Sequence, residues 1–174
     1  MKKWFMVTLV GKDQPGIVAK LTLALFENDC NLGEASMTRL GGNFTIILMV
    51  QFSGLEGELE RILKPVCGAM DLRFHVDIIA GELHQHMEPD VRISVHGADQ
   101  AGIVAKVTGA LAEAGLNILN LESDIGGFPD APIYIMQIEG IAKNGIEPLQ
   151  NILKLLASEI DVETQISPLD TLLG

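Results

Sequence analysis

Apolar and polar residues alternate along the first stretch of the chain. Phe5, Val7 and Leu9 fall on every second position, which predicts a strand. The turn GKDQPG follows at 11–16. Ile17, Val18, Leu21, Leu25 and Phe26 then recur at the three-and-four spacing of an amphipathic helix. Asn31 breaks that helix, and a second strand runs over 32–40. Gly41-Gly42-Asn43 suits a hairpin turn, because glycine adopts positive φ without a steric penalty. A more apolar strand from Phe44 to Phe52 completes the hairpin. Leu55, Leu59, Ile62, Leu63 and Val66 predict a second helix, which Pro65 should end or kink. Leu72, Phe74, Val76 and Ile78 alternate in a fourth strand.

The second half repeats this order. Val91, Ile93 and Val95 alternate in a strand, and a helix over 102–114 ends at Gly115, a natural residue just past a helix C-terminus. A strand covers 118–125, the Pro-containing loop GGFPDAP follows, and Ile133 to Ile138 form the next strand. Ile146, Leu149, Ile152, Leu153 and Leu156 predict a helix, and Ile160, Val162, Thr164 and Ile166 a last strand. The residues themselves are duplicated: GKDQPGIVAKLT at 11–22 returns as GADQAGIVAKVT at 97–108, an offset of 86. That period is too long for a solenoid repeat and indicates a duplicated domain. Domains over 1–82 and 90–174 are expected, joined by a polar linker at 83–89. The order βαββαβ, used twice, predicts an α+β fold of two ferredoxin-like units, each an antiparallel sheet with two helices on one face. Each sheet then has a bare face, with Trp4, Met6 and Val10 among its outward residues. The two halves are therefore expected to pack on each other, or the chain to form a homodimer, with exposed edge strands as a further means of pairing.

Composition narrows the function. The chain of 174 residues is 48% hydrophobic and 20% charged, enough for a real core. Its net charge of −11 and 5% aromatic content argue against direct nucleic-acid contact, which needs cationic groups and stacking platforms, and against an anionic membrane surface. No apolar run reaches the roughly 20 residues that span a bilayer. The start MKKWFMVTLV alternates like a strand and has no small-residue cleavage site, so it reads as mature structure. Cys30 and Cys67 have neither metal spacing nor a disulfide framework, which fits a reduced cytoplasmic setting.

Few residues suggest chemistry of their own. His84-Gln85-His86 is read as solvated linker and not as a metal site. His75 and His96 are surface or packing residues, Glu56, Glu58 and Glu60 a solvated helix face, and Met37, Met49 and Met136 core or interface. No G-x-S-x-G, H-E-x-x-H or phosphate-loop G-K-[ST] occurs. No enzyme activity, cofactor or metal is expected. The two helix starts stand apart. A helix N-terminus presents unpaired N–H groups and about half a positive charge, which suits a carboxylate. Gly16 and Gly102 let a ligand approach the backbone. Asp13 and Asp99 could pair with an ammonium group, and Asn31 and Asn117 can donate and accept. The plainer reading of the same residues is a helix cap at Asp13 or Gln14, a tight turn at Gly16, and helix terminators at Asn31 and Asn117.

The strand, the motif G-x-D-x-P-G-I-V and an amphipathic helix ending in C-N-L together resemble the ACT domain family, small regulatory modules that bind amino acids. The resemblance covers the whole chain, once per half. Within that family GKDQPGIV, NDCNLGEASMTRLGGNFTIILMV and the lack of an attached enzyme domain are most similar to the glycine cleavage system transcriptional repressor type. The resemblance implies a ligand near the strand-to-helix loop and the start of the second strand. In the first half these are Asp13, Gln14, Pro15, Gly16, Ile17, Asn31 and Leu32. In the second they are Asp99, Gln100, Ala101, Gly102, Ile103, Asn117 and Ile118, with Ala101 departing from the proline of the pattern. It further implies a small amino acid, glycine or serine, as ligand and repression of glycine cleavage genes through a DNA-binding protein partner. A detached regulatory subunit of an amino-acid enzyme and a ligand-free dimerisation module are the competing readings.

Overall fold

The computed structural model describes residues 2–79, 87–98, 100–128 and 130–169. The chain divides into two compact units, 1–83 and 84–174. The linker expected at 83–89 falls largely outside the described residues. In the first unit the elements are β1 (Lys3–Lys12), α1 (Ile17–Phe26), β2 (Asn31–Leu40), β3 (Asn43–Phe52), α2 (Glu56–Ala69) and β4 (Arg73–Ile79). In the second they are β5 (Val91–Ala98), α3 (Ile103–Glu113), β6 (Leu116–Phe128), β7 (Ala131–Ala142), α4 (Ile146–Glu159) and β8 (Val162–Pro168). The sheets run β2-β3-β1-β4 and β6-β7-β5-β8, and every neighbouring pair is antiparallel. Each unit is the expected ferredoxin-like arrangement.

Alternation decides which way each strand faces. Phe5, Val7 and Leu9 of β1 are buried beside Leu48 and Val50 of β3, and against them pack Leu21 and Leu25 of α1 and Leu59 and Leu63 of α2. Ile93, Val95, Val107, Leu111, Ile138 and Leu149 build the matching core of the second unit. The edge strand β2 is exposed along all ten residues.

The structure departs from the pattern in three places. α2 continues through Pro65 to Ala69, because Leu63 and Cys67 on either side of the proline are both buried in the core. α1 ends at Phe26, well before Asn31. Its close is made by Asp29 at φ 57, with Asp29 N–H donating to Phe26 O and Cys30 N–H to Leu25 O, a left-handed helix stop. Most of the expected GGFPDAP loop is strand: Gly126, Gly127 and Phe128 continue β6 and pair with Ile133, Pro132 and Ala131. Gly127 accepts a φ of 88 there, and Pro132 sits at the hairpin tip, where a missing N–H costs little. The predicted stop at Gly115 is observed, with φ 95 just past α3.

Candidate ligand-binding site

The loop after β1 is tied down from two sides. Asp13 N–H donates to Gly42 O at 3.1 Å, and Arg39 Nε lies 2.7 Å from Asp13 Oδ2. Gln14 Nε2 donates to Met70 O at 2.7 Å. Neither side chain caps α1. The helix begins instead at Gly16, held at φ 86, whose carbonyl accepts from Lys20 N–H. A Cβ built on Gly16 would meet nothing within 4 Å, so glycine is required here for its dihedral angle and the space beyond it is open. Pro15 and Gly16 are exposed, while Ile17 turns into the core. Gly102 repeats the device at φ 88 with the same open space, and Ile103 is buried like Ile17. Gln100 and Ala101 are exposed, and the Gln100 carbonyl accepts from Ile103 N–H at 3.3 Å. Asp99 lies outside the described residues.

These two helix starts differ electrostatically from the other two. α2 carries Glu56 and Glu58 in its first turn and α4 carries Glu147, whereas α1 and α3 have no acidic residue there. Glu58 accepts from Leu55 N–H at 2.7 Å, so part of the expected solvated acidic face is a cap. The positive ends of α1 and α3 are left without an internal counter-charge from their own first turns.

Asn31 and Leu32 lie elsewhere. They open β2, at the far end of α1 from Gly16, and ten helical residues at 1.5 Å each separate the two groups by about 15 Å. Asn31 Nδ2 is 3.4 Å from Gln51 Oε1. Asn31 and Leu32 edge a groove of about 660 Å³ whose walls include Thr22, Leu23, Phe26 and Cys30. A bulge follows directly, Gly33 and Glu34 standing opposite Met49. The second unit has the same bulge after Ile118. There Asn117 and Ile118 are half-buried, and the Asn117 carbonyl occupies the position a Cβ on Gly140 would need. Gly109 and Ala112 replace Leu23 and Phe26 by the same offset of 86. A groove of about 430 Å³ in this unit is lined by His96, Ile133, Asp161 and Glu163 and by none of the expected residues.

The thiol of Cys30, at the groove, is held above its usual range by burial and by the charge of Asp29, and burial pushes Cys67 up to about 11. Among the described residues no charged or polar side chain is buried, and no three His, Cys, Asp or Glu side chains gather as metal ligands. His84 and His86 lie outside those residues. The sequence pattern did not single out Arg39 or Met70, which anchor the loop, because their pairing depends on tertiary contact. The groove did leave a trace: IVAKLTLALF is apolar on more than one helix face.

Two ACT domain profiles match the chain, one over residues 3–77 and one over 91–160. The chain belongs to the ACT domain family. It is a tandem ACT protein. It is 26% identical over 121 residues to the glycine cleavage system transcriptional repressor of Escherichia coli, a match covering 69% of this chain and 64% of that protein. A UPF0237 protein of Lactococcus lactis is 41% identical over 61 residues, 32% of this chain and 70% of its own length. Among solved structures, an unknown protein from Galdieria sulphuraria shares the fold with a TM-score of 0.77 and 24% identity, over 98% of this chain and all of that one. A candidate glycine cleavage system transcriptional repressor does so at 0.74 and 19% identity, over 98% and 99%. The chain is thus a tandem ACT regulatory protein related to the glycine cleavage repressor and to the UPF0237 proteins. No helix among the described residues is long and apolar enough to cross a membrane.

Proposed function

We propose that this chain is a non-enzymatic amino-acid sensor of the cytoplasm that regulates glycine cleavage genes through a DNA-binding protein partner, with modules 1–82 and 90–174 joined by 83–89. The observation that carries this reading is the pair of bare helix starts. At Gly16 and Gly102 the chain places a left-handed glycine, open space and no acidic residue where a helix presents its positive end. An α-carboxylate fits that environment. Asp13 is close enough to the loop to meet an α-ammonium group, though it must share itself with Arg39. Relatedness to the glycine cleavage repressor favours a small amino acid, glycine or serine, as the ligand.

The loop set and the Asn31–Leu32 set act as separate half-sites in one module. A ligand that favours one conformation of the chain over another supplies the regulatory output, and the shift can be no larger than the ligand's differential affinity for the two. The net charge of −11 supports delegating DNA contact to a partner. Relatedness to the E. coli repressor supports the choice of pathway.

A melting screen with glycine, serine, threonine and the branched amino acids tests the reading. A small amino acid at millimolar concentration should raise the melting temperature. No rise with any of them removes it. Affinity capture with the active ligand then separates the regulator, which retains a DNA-binding protein, from an enzyme subunit, which retains a biosynthetic enzyme.

A further inference from the structure

Helix α1 has two apolar faces, and the core uses one of them. Ile17, Leu21 and Leu25 are buried in the first unit. Ala19, Thr22, Leu23 and Phe26 recur at i, i+3, i+4 and i+7 as a second stripe, which lines the groove beside Leu32 of β2. Leu23 is 53% exposed and Phe26 75%. Met37 extends the strand wall. It stands opposite buried Ile46, and Leu32 opposite buried Val50, so both lie on the helix-bearing face of the sheet. The second unit does without this surface. Gly109, Ala112 and Ser123 stand where the first has Leu23, Phe26 and Met37. The fold therefore does not require the apolar trough, and an exposed apolar surface of this kind marks an interaction site.

Charge identifies the occupant. α1 ends close to Leu32 with no basic residue in its last turn, so its negative pole is bare. Glu27 caps the helix and Asp29 makes the turn that follows. Both are exposed, and neither has an ion-pair partner among the described residues. The negative charge of Asp29 is felt in the groove, where it helps to raise the Cys30 thiol. Basic groups lie away from this end. Lys20 stands six residues before Phe26, about 9 Å back along α1. Arg39, at the other end of β2, is held by Asp13. The second unit keeps Glu113 in place of Glu27 but has Gly115 in place of Asp29, so the added carboxylate accompanies the added apolar side chains. An amphipathic helix matches both features when it lays its apolar stripe in the trough and sets Lys or Arg against Glu27 and Asp29.

We propose that the trough between α1 and β2 of the first unit is a docking groove for a basic amphipathic helix of a protein partner. Leu23, Phe26, Leu32 and Met37 take its apolar side chains, and Glu27 and Asp29 its cationic ones. A DNA-binding protein, the partner in the function proposed above, has the basic surface this requires; that link alone rests on the earlier reading.

A labelled Leu/Lys amphipathic helix of about five turns, titrated with the full chain at physiological salt and read by fluorescence anisotropy, tests the groove. No amino acid and no natural partner are present, so the outcome is separate from sensing. The peptide should bind saturably at micromolar concentration, and a Leu/Glu helix of the same pattern should bind at least about tenfold more weakly. The double variant Phe26→Ala/Met37→Ser copies the second unit at two exposed positions. It should keep the native circular dichroism spectrum and weaken the Leu/Lys helix about tenfold. Asp29→Asn, which suits the same left-handed turn, should weaken it about threefold, whereas Glu122→Gln on β6 should bind as the parent does. Asp29→Asn decides if the double variant does not fold. Absence of binding overturns the proposal, as does equal binding by the folded double variant or an equal loss in Asp29→Asn and Glu122→Gln. So does a double variant that lowers the sedimentation mass of the free chain, which would give the trough to a second copy.

Discussion

At the scale of the residue, duplication supplies matched pairs of glycines with different duties. Gly16 and Gly102 stand at φ 86 and 88 with nothing within 4 Å of a Cβ. Alanine at either position should therefore cost only the left-handed backbone, about 1 kcal/mol, and by the same amount in both, as read from urea unfolding. Gly11 differs: its Cβ would lie 2.5 Å from Leu72 Cδ2 and 3.1 Å from Asp71 O, at the start of β4. Gly11→Ala should cost more than Gly16→Ala, in the range of about 1–3 kcal/mol typical of overpacking. The motif GKDQPG displays both glycines but does not tell these duties apart, because β4 lies far along the chain and only the folded register brings it to Gly11. Cys67 adds a pH dependence. Its thiol titrates near 11 when folded against 9.0 in an unperturbed thiol, so the folded state holds the proton more tightly. The stability this gives is complete below pH 9 and is lost as pH rises from 9 to 11. Unfolding measured across that window should fall more steeply for the parent than for Cys67→Ala.

At the scale of the element, the periodicities of 2 and 3.6 carried the order of the strands and helices that bury one face against the core of their own unit, whereas β2, exposed along all ten residues, was placed by the breakers around it, Asn31 before and Gly41-Gly42-Asn43 after. The ends were less legible, since they depend on partners. Pro65 carries a local signal to stop, yet Leu63 and Cys67 flank it in the core and the helix continues. Pro65→Ala restores one backbone N–H to α2 and should raise stability by about 1 kcal/mol, part of the penalty of a helix-interior proline, as an increase in the denaturation midpoint. β6 and β7 run further than their alternation suggested because pairing between them carries the strands through Gly126 and Gly127. Asp29, Asp71 and Asp161 all take positive φ just after helices. Asparagine and glycine are the residues usually sought at such stops, so the pattern placed the end of α1 at Asn31, later than it is.

At the scale of the whole molecule, repetition made the candidate site visible. Both copies of the loop, both first-turn glycines and both asparagines stand out when the halves are aligned. What alignment does not give is distance: α1 separates the loop from Asn31 by about 15 Å. Nor does it reveal that the Arg39 side chain holds the loop, since Ile125 occupies the corresponding position of the second unit, or that Gln14 donates to the backbone carbonyl of Met70, a group that any residue there would supply. On the function proposed above, the bare starts of α1 and α3 receive the carboxylate of a small amino acid. Calorimetric titration of the full chain with glycine and serine, beside their uncharged amides, tests it most directly. The free amino acid should give a saturable heat and its amide, which lacks the anionic group, none. Equal heats from acid and amide, or no heat from any amino acid at millimolar concentration, would contradict it.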